Sequence, residues 1–340
     1  MTRKNRLSVG LSFLVLLGVM LAGCGYNKFN MKKCRADAQK GKPEAQYHLG
    51  MCYYKGDGMP KDHGQAVYWL RQAAEKGHAG AQLLLGNCFY HGWGAASDQA
   101  QAASWYLKAA EQGNAEAQFR LGKCHEQGAG VPKDPKQAVS WYRKAAEKGN
   151  SEAQCALGDI YMRGAPWDGV TRDVDKAVYW YRKAAEKGHA GAQYRLGSRS
   201  LSGEKAGDWL SKAAEQGHVE AQYRLGIYFS SVDPKWNRPI DRKQSVYWYR
   251  KAAEQGHLGA QYWLGLCYDE GWGVPKDAEK AVYWYRKAAE QGHGGAQYGL
   301  GMHYLRGDGI EPDREKAESL LRKAAAQGVD EAQKALRQCR

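Results

Sequence analysis

The 340-residue sequence predicts an all-α solenoid of about eight stacked helix pairs. Three observations carry that reading. Ala-Gln pairs anchored at Ala45, Ala81, Ala117, Ala153, Ala192, Ala221, Ala260, Ala296 and Ala332 recur at spacings of 36, 36, 36, 39, 29, 39, 36 and 36 residues. A period in this range marks structural repeats that bury their apolar faces only by stacking. Within each period, apolar residues run twice at helical spacing, with glycine and proline between the runs.

The first complete copy, residues 43–78, shows how each element is encoded. Ala45, Leu49, Cys52 and Tyr53 give one amphipathic helix, which Gly56 and Gly58 stop. Met59-Pro60 forbids its continuation, because the residue before proline avoids the helical region. Asp62 then reads as an N-cap and returns as Asp98, Asp134, Asp173, Asp241, Asp277 and Asp313. The second helix carries Ala66, Trp69, Leu70, Ala73 and Ala74 and closes at Gly77, a left-handed C-cap position. His78, His189, His218, His257 and His293 share the next position with Asn114 and Asn150. A site where histidine and asparagine interchange points to capping of the following helix rather than to metal ligation.

The full pattern, A-x-A-Q-Y-x-L-G-x-x-Y-x-x-G-x-G-V-P-x-D-x-x-K-A-x-x-W-Y-x-K-A-A-E-x-G, resembles the Sel1-like repeat, a relative of the tetratricopeptide repeat. The resemblance runs from about residue 43 to the C-terminus. It implies a right-handed α/α superhelix whose first helices line a concave face.

Ahead of the array, Thr2 to Arg6 is basic and Leu7 to Met20 is an uncharged apolar run, too short to span a bilayer as an ordinary helix and flanked like a signal peptide. Leu21-Ala22-Gly23-Cys24 resembles a bacterial lipobox, which implies cleavage after residue 23 and acylation of Cys24. Gly25 is not the aspartate that retains enteric lipoproteins at the inner membrane, so the expected address is the periplasmic face of the outer membrane. The expected organisation is a signal peptide over 1–23, a lipidated tether over 24–30, a capping helix over 31–42, eight repeats over 43–329 and a second capping helix over 330–340. Three units depart from the pattern: a longer loop at 164–172, a shortened turn at Ser202-Gly203-Glu204-Lys205, and a glycine-free loop at 231–239. Insertions in repeat arrays fall in loops on one face, where partners often bind.

The formal net charge is +14, falling to +11 once Arg3, Lys4 and Arg6 leave with the signal. Such a balance can indicate nucleic acid, but export argues against it and favours an acidic protein, anionic lipid headgroups or a cell-wall polymer. Of eight cysteines, Cys52, Cys88, Cys124, Cys267 and Cys339 share one register. Equivalent positions on stacked helices lie about 10 Å apart, beyond disulfide reach, so they read as small buried apolar residues. Cys34 with Cys52 is the one pair suggested for a bridge.

Signals for chemistry are weak. Ser202 and Lys205 form the S-x-x-K of penicillin-recognising enzymes, but the companion K-T-G and S-D-N elements are absent; a cell-wall or β-lactam hydrolase is therefore only a remote reading. Cys88-Phe89-Tyr90-His91 and Cys124-His125 lack a second ligand pair at zinc spacing. No catalytic residue, cofactor, metal or nucleic acid is expected.

The twelve tryptophans divide in two. Trp69, Trp105, Trp141, Trp180, Trp209, Trp248 and Trp284 share a register on the second helices and are expected in the core. Trp93, Trp167, Trp236, Trp263 and Trp272 lie off it and read as contact anchors. Arg120, Lys123, Arg195 and Arg224, with Arg163 and Arg199 nearby, form an expected basic centre on the first-helix face. The function expected from these residues is non-catalytic binding of an acidic partner protein. In architecture and address the chain also resembles immunity proteins that neutralise type VI secretion phospholipase effectors; an envelope scaffold or signalling adaptor is the alternative.

Overall fold

The computed structural model describes residues 28–164, 170–198, 206–230 and 240–338. Among them the chain forms eighteen helices, in two units, Met1–Asp173 and Val174–Arg340. The first unit holds α1 (Lys28–Gln39), the pairs α2 (Pro43–Lys55) with α3 (His63–Glu75), α4 (Ala79–His91) with α5 (Gln99–Glu111), α6 (Ala115–Gln127) with α7 (Pro135–Glu147), and α8 (Ser151–Arg163). The second begins with α9 (Val174–Glu186). It continues with α10 (Ala190–Ser198) and α11 (Ala206–Glu215), α12 (Val219–Ser230) and α13 (Arg242–Glu254), α14 (Leu258–Glu270) and α15 (Ala278–Glu290), α16 (Gly294–Arg306) and α17 (Arg314–Ala326), and ends with α18 (Asp330–Gln338). Within each unit every helix packs on its sequence neighbours, which is the architecture of an α/α solenoid.

The helix boundaries are set by local chemistry. The first helices α2, α4, α6, α14 and α16 close on Gly56, Gly92, Gly128, Gly271 and Gly307, all left-handed, whose amides donate to the carbonyl four residues back. Asp62, Asp98, Asp134, Asp241, Asp277 and Asp313 then cap the second helices, each accepting from the amide three residues on at 2.9–3.0 Å. At the junctions, Nδ1 of His78, His189, His218, His257 and His293 and Oδ1 of Asn114 and Asn150 accept from the amide three residues on at 2.8–3.2 Å. The interchange of histidine with asparagine thus has a single cause: both present an acceptor at the same place. α1 opens three residues ahead of the expected 31–42, and it closes three residues early because Gly41 turns left-handed (φ 82°) and Lys42 is extended ahead of Pro43.

The core corrects one expectation. The register tryptophans are half-buried at its edge, and the residue after them fills it: Tyr106, Tyr142, Tyr181, Tyr249 and Tyr285, with Leu70, Leu210 and Leu321 in their place elsewhere. A tryptophan keeps its apolar body against the core while a lysine covers the ring, as Lys144 does over Trp141 at 4.0 Å. The tyrosine rings fit because glycine faces them: a Cβ on Gly122 would stand 2.7 Å from the Tyr142 ring. Cys34 and Cys52 share one buried cluster but remain thiols, Cys34 Sγ donating to the Ala45 carbonyl at 3.6 Å. Cys88, Cys124 and Cys267 are buried in the register positions expected of them, and Cys339 lies outside the described residues.

A feature invisible to pattern reading holds the stack together. The glutamine after each anchor alanine from Ala45 to Ala296 is 3–5% exposed. Its Nε2 donates back across the junction to the carbonyl eight residues earlier, at the end of the preceding helix: Gln82 to Ala74, Gln118 to Ala110, Gln261 to Ala253. Each of these carbonyls already accepts from the glycine amide three residues on, and the glutamine adds a second donor that comes from the next element. Five of these glutamines accept in turn, at 2.7–2.9 Å, from a glutamine at the end of the following second helix: Gln112, Gln216, Gln255, Gln291 and Gln327.

Candidate binding site

The basic residues expected on the first helices fall in both units. Arg120, Lys123 and Arg163 belong to the first unit, Arg195 and Arg224 to the second, and Arg199 lies outside the described residues. Arg120 Nε bonds Glu116 Oε1 at 2.7 Å, and Arg224 Nε bonds Glu220 Oε1 at 3.2 Å, each one turn back on its own helix. Arg163, exposed, donates to the Asp159 carbonyl at 3.4 Å. The eight first helices together carry seven Lys/Arg and eight Asp/Glu, whereas the second helices carry twenty and twelve. Summed over these helices the positive excess therefore sits on the second helices, most of it on α7, α13 and α17.

The off-register tryptophans are more informative. Trp167 and Trp236 lie outside the described residues. Trp93 packs on its neighbours' rings, stacking on His91 at 4.2 Å, with His63 at 6.0 Å and Tyr54 edge-on at 5.8 Å. Trp263 and Trp272 come together in the second unit. With Tyr249, Ser245 and Cys267 they line a recess of about 280 Å³, whose remaining lining is Ser230 and Arg242. Trp263 lies parallel to Tyr249 (6.1 Å, 10°), and the Arg242 guanidinium stands 5.6 Å from the Trp272 ring.

Comparison of repeats explains why the recess exists here. Ser230, Arg242 and Trp272 occupy the register of Tyr54, His63 and Trp93. In the first unit the Tyr54 ring meets both His63 and Trp93; at residue 230 a serine puts no ring there. The polar floor is satisfied, since Ser245 Oγ donates to the Gly226 carbonyl at 2.8 Å and the Tyr249 hydroxyl reaches Ser230 Oγ at 3.4 Å. Burial pushes the Cys267 thiol up to about 11 and the Tyr249 phenol up to about 12, so both stay protonated at neutral pH. What remains is an apolar, aromatic-walled slot with one cation at its lining, suited to an aromatic or aliphatic anchor beside an anionic group.

A second recess, of about 260 Å³, lies between α14, α15 and α16. His303 takes the register of the buried cysteines and is itself 5% exposed. Its Nε2 faces Asp269 Oδ2 at 3.5 Å and its Nδ1 meets the Asp308 carbonyl at 2.7 Å, while the Tyr285 hydroxyl donates to Asp269 at 3.3 Å. Burial disfavours the imidazolium, but the bonds to Asp269 and to the Asp308 carbonyl outweigh it and hold His303 above the ordinary histidine value. Among the described residues no cluster of three or more potential ligands could hold a metal ion.

The Sel1 repeat family model matches residues 43–78, 79–114, 115–150, 151–189, 190–218, 219–257, 259–293 and 295–329. The chain belongs to the Sel1 repeat family. A Sel1 repeat protein from Oxalobacter formigenes is 33% identical over 95% of this chain and 94% of its own, with a TM-score of 0.64. A protective antigen of uropathogenic Escherichia coli is 35% identical over 90% of this chain and 74% of its own, with a TM-score of 0.63. An immunity protein from Pseudomonas aeruginosa is 24% identical over 62% of this chain and 82% of its own, with a TM-score of 0.41, and that likeness carries no argument about function. No curated protein matches the chain. Sel1 repeats are protein-interaction scaffolds, so the recess and the faces beside it are read as binding surfaces.

Proposed function

We propose that this Sel1 protein is a lipid-anchored periplasmic lipoprotein, acylated at Cys24, that acts by gripping a partner protein rather than by catalysis. The observation that carries the reading is the recess framed by Trp263 and Trp272: an aromatic slot with neutral walls, and Arg242 placed for the partner's carboxylate. The reacting groups it contains, Cys267 and Tyr249, are held in their unreactive protonated forms, which supports binding over chemistry. The relative that serves as a protective antigen supports an exported address. More narrowly, the protein is an inhibitor of the immunity type that covers the active site of a secreted phospholipase by steric occlusion.

The test uses detergent-solubilised full chain as bait in envelope extract, beside a Trp263→Ala/Trp272→Ala variant. Capture of one partner by the wild type and its loss from the variant supports the site, and equal capture by both removes it. If the captured protein hydrolyses phospholipid and added Sel1 protein stops it, the role is inhibition. A partner without such activity makes the chain an envelope scaffold. Separately, Cys24→Ser must shift the chain out of the membrane fraction for the anchor to stand.

A further inference from the structure

In both units the second helices leave aromatic side chains in solvent. Tyr68, Tyr179, Tyr247 and Tyr283 share one register and are each 49–54% exposed. Each stands edge-on to the tryptophan that follows it, at 4.9–5.1 Å. In the second unit a lysine one turn on lies over each ring: Lys183 over Tyr179, Lys251 over Tyr247 and Lys287 over Tyr283, at 5.1–5.9 Å. The core does not require these tyrosines, because Ser104, Ser140, Asp208 and Ser319 occupy the same register in the remaining repeats.

The second helices of this unit also carry a positive excess, of which Lys251 and Lys287 lie over the tyrosine rings, whereas Arg242 lines the Trp263–Trp272 recess and Arg250 bonds the Tyr268 hydroxyl. Helices α13, α15 and α17 hold eleven Lys/Arg against five Asp/Glu. The ends of α13 and α15 are neighbours, since Gln291 Nε2 reaches the Gly256 carbonyl at 3.5 Å. Half-exposed tyrosines paired with tryptophans and flanked by long cationic side chains are the chemistry of a membrane interface: the rings sit at headgroup depth and the ammonium and guanidinium groups meet lipid phosphates. A soluble polyanion uses the charges but gives the tyrosines no apolar layer to enter.

We infer that the second-helix face around Tyr247, Tyr283, Lys251 and Lys287 docks on a bilayer of anionic phospholipid, laying α13 and α15 against the membrane. This surface is distinct from the Trp263–Trp272 recess and does not rest on acylation of Cys24.

The test reads the face itself, because residues 7–20 would hold the full chain to any vesicle. Full chain is mixed with vesicles of phosphatidylcholine alone or of phosphatidylcholine with phosphatidylglycerol, and lysine acetylation is followed residue by residue by mass spectrometry. Docking predicts severalfold slower modification of Lys251 and Lys287 on the anionic vesicles only, with Lys55 and Lys123 on the first helices unchanged. A Tyr247→Ser/Tyr283→Ser variant, using the residue other repeats already carry there, must lose that protection. Equal protection on neutral vesicles, equal protection by soluble dextran sulfate, or full protection in the tyrosine variant would each overturn the inference. The dextran outcome would reassign the face to soluble polyanions.

Discussion

The ladder of buried glutamines makes a prediction with a sign at each end. Where a second helix closes on glutamine, that side chain donates to the buried glutamine on the first helix of its own repeat, as Gln291 does to Gln261 Oε1 at 2.7 Å. Where it closes on lysine the partner is lost. Lys148 Nζ reaches instead to the Gly113 carbonyl at 2.8 Å, and Gln118 Oε1 is left buried with no donor. Lys76 treats Gln46 the same way, bonding the Gly41 carbonyl while Gln46 Oε1 goes unmet. Lys148→Gln supplies the missing donor. A neutral hydrogen bond to a buried acceptor contributes about 1–1.5 kcal/mol, and the exposed lysine contact given up is worth about 0.5 kcal/mol, so the variant gains about 0.5–1 kcal/mol. Gln291→Lys strands Gln261 Oε1 and costs about 1–2 kcal/mol. Because neighbouring repeats share stability along an array, the assay is amide hydrogen exchange near Gln118 and Gln261 together with urea unfolding of the full chain. Protection must rise at the first site in Lys148→Gln and fall at the second in Gln291→Lys. Changes of the same sign in the two variants would refute the reasoning.

Three further outcomes follow from the fold. Tyr142→Ala, which empties a fully buried position, should cost about 3–5 kcal/mol in urea unfolding, and Trp141→Ala about half as much; the reverse order would return tryptophan to the core. His303 has its folded pKa raised above the ordinary 6.5, so its contribution to stability is complete below pH 6.5 and is lost as pH rises through the folded value. His303→Cys, restoring the register residue, should flatten that loss in melts between about pH 5 and 8. His293 behaves oppositely: burial lowers its pKa, so its capping is complete above pH 6.5 and fades as pH falls through the lowered value. His293→Asn should remove the acid sensitivity of that junction while keeping the cap, and an unchanged acid limb would show the imidazole is not its source.

Most of the fold was legible because each repeat writes its punctuation in residue types with one local job. Asp62 and its equivalents cap, Gly56 and its equivalents turn left-handed, and His78 alternates with Asn114 because both accept from the same amide. What stayed hidden needed two elements at once. The ring that fills the core is Tyr142 rather than Trp141 because only Tyr142 meets the gap left by Gly122 on the facing helix. Gln118 looks like a surface residue until its contact with the Ala110 carbonyl is seen. Among the site residues, the register marked Trp263 and Trp272 as unusual but could not show that they face one slot, which depends on the serine at 230. The register of Arg120 and Arg224 likewise did not single out Glu116 and Glu220, which lie one turn back and pair with them.

The glutamine joint also bears on how such a chain changes over time. Its acceptor is a main-chain carbonyl, which every residue supplies, and its donor comes with the incoming repeat. A duplicated or deleted stretch of one whole period therefore rejoins its neighbours without a compensating substitution. Gene-level slippage can lengthen or shorten the array while side chains on the exposed faces drift independently, so paralogues of different repeat number with unrelated partners are what this joint permits.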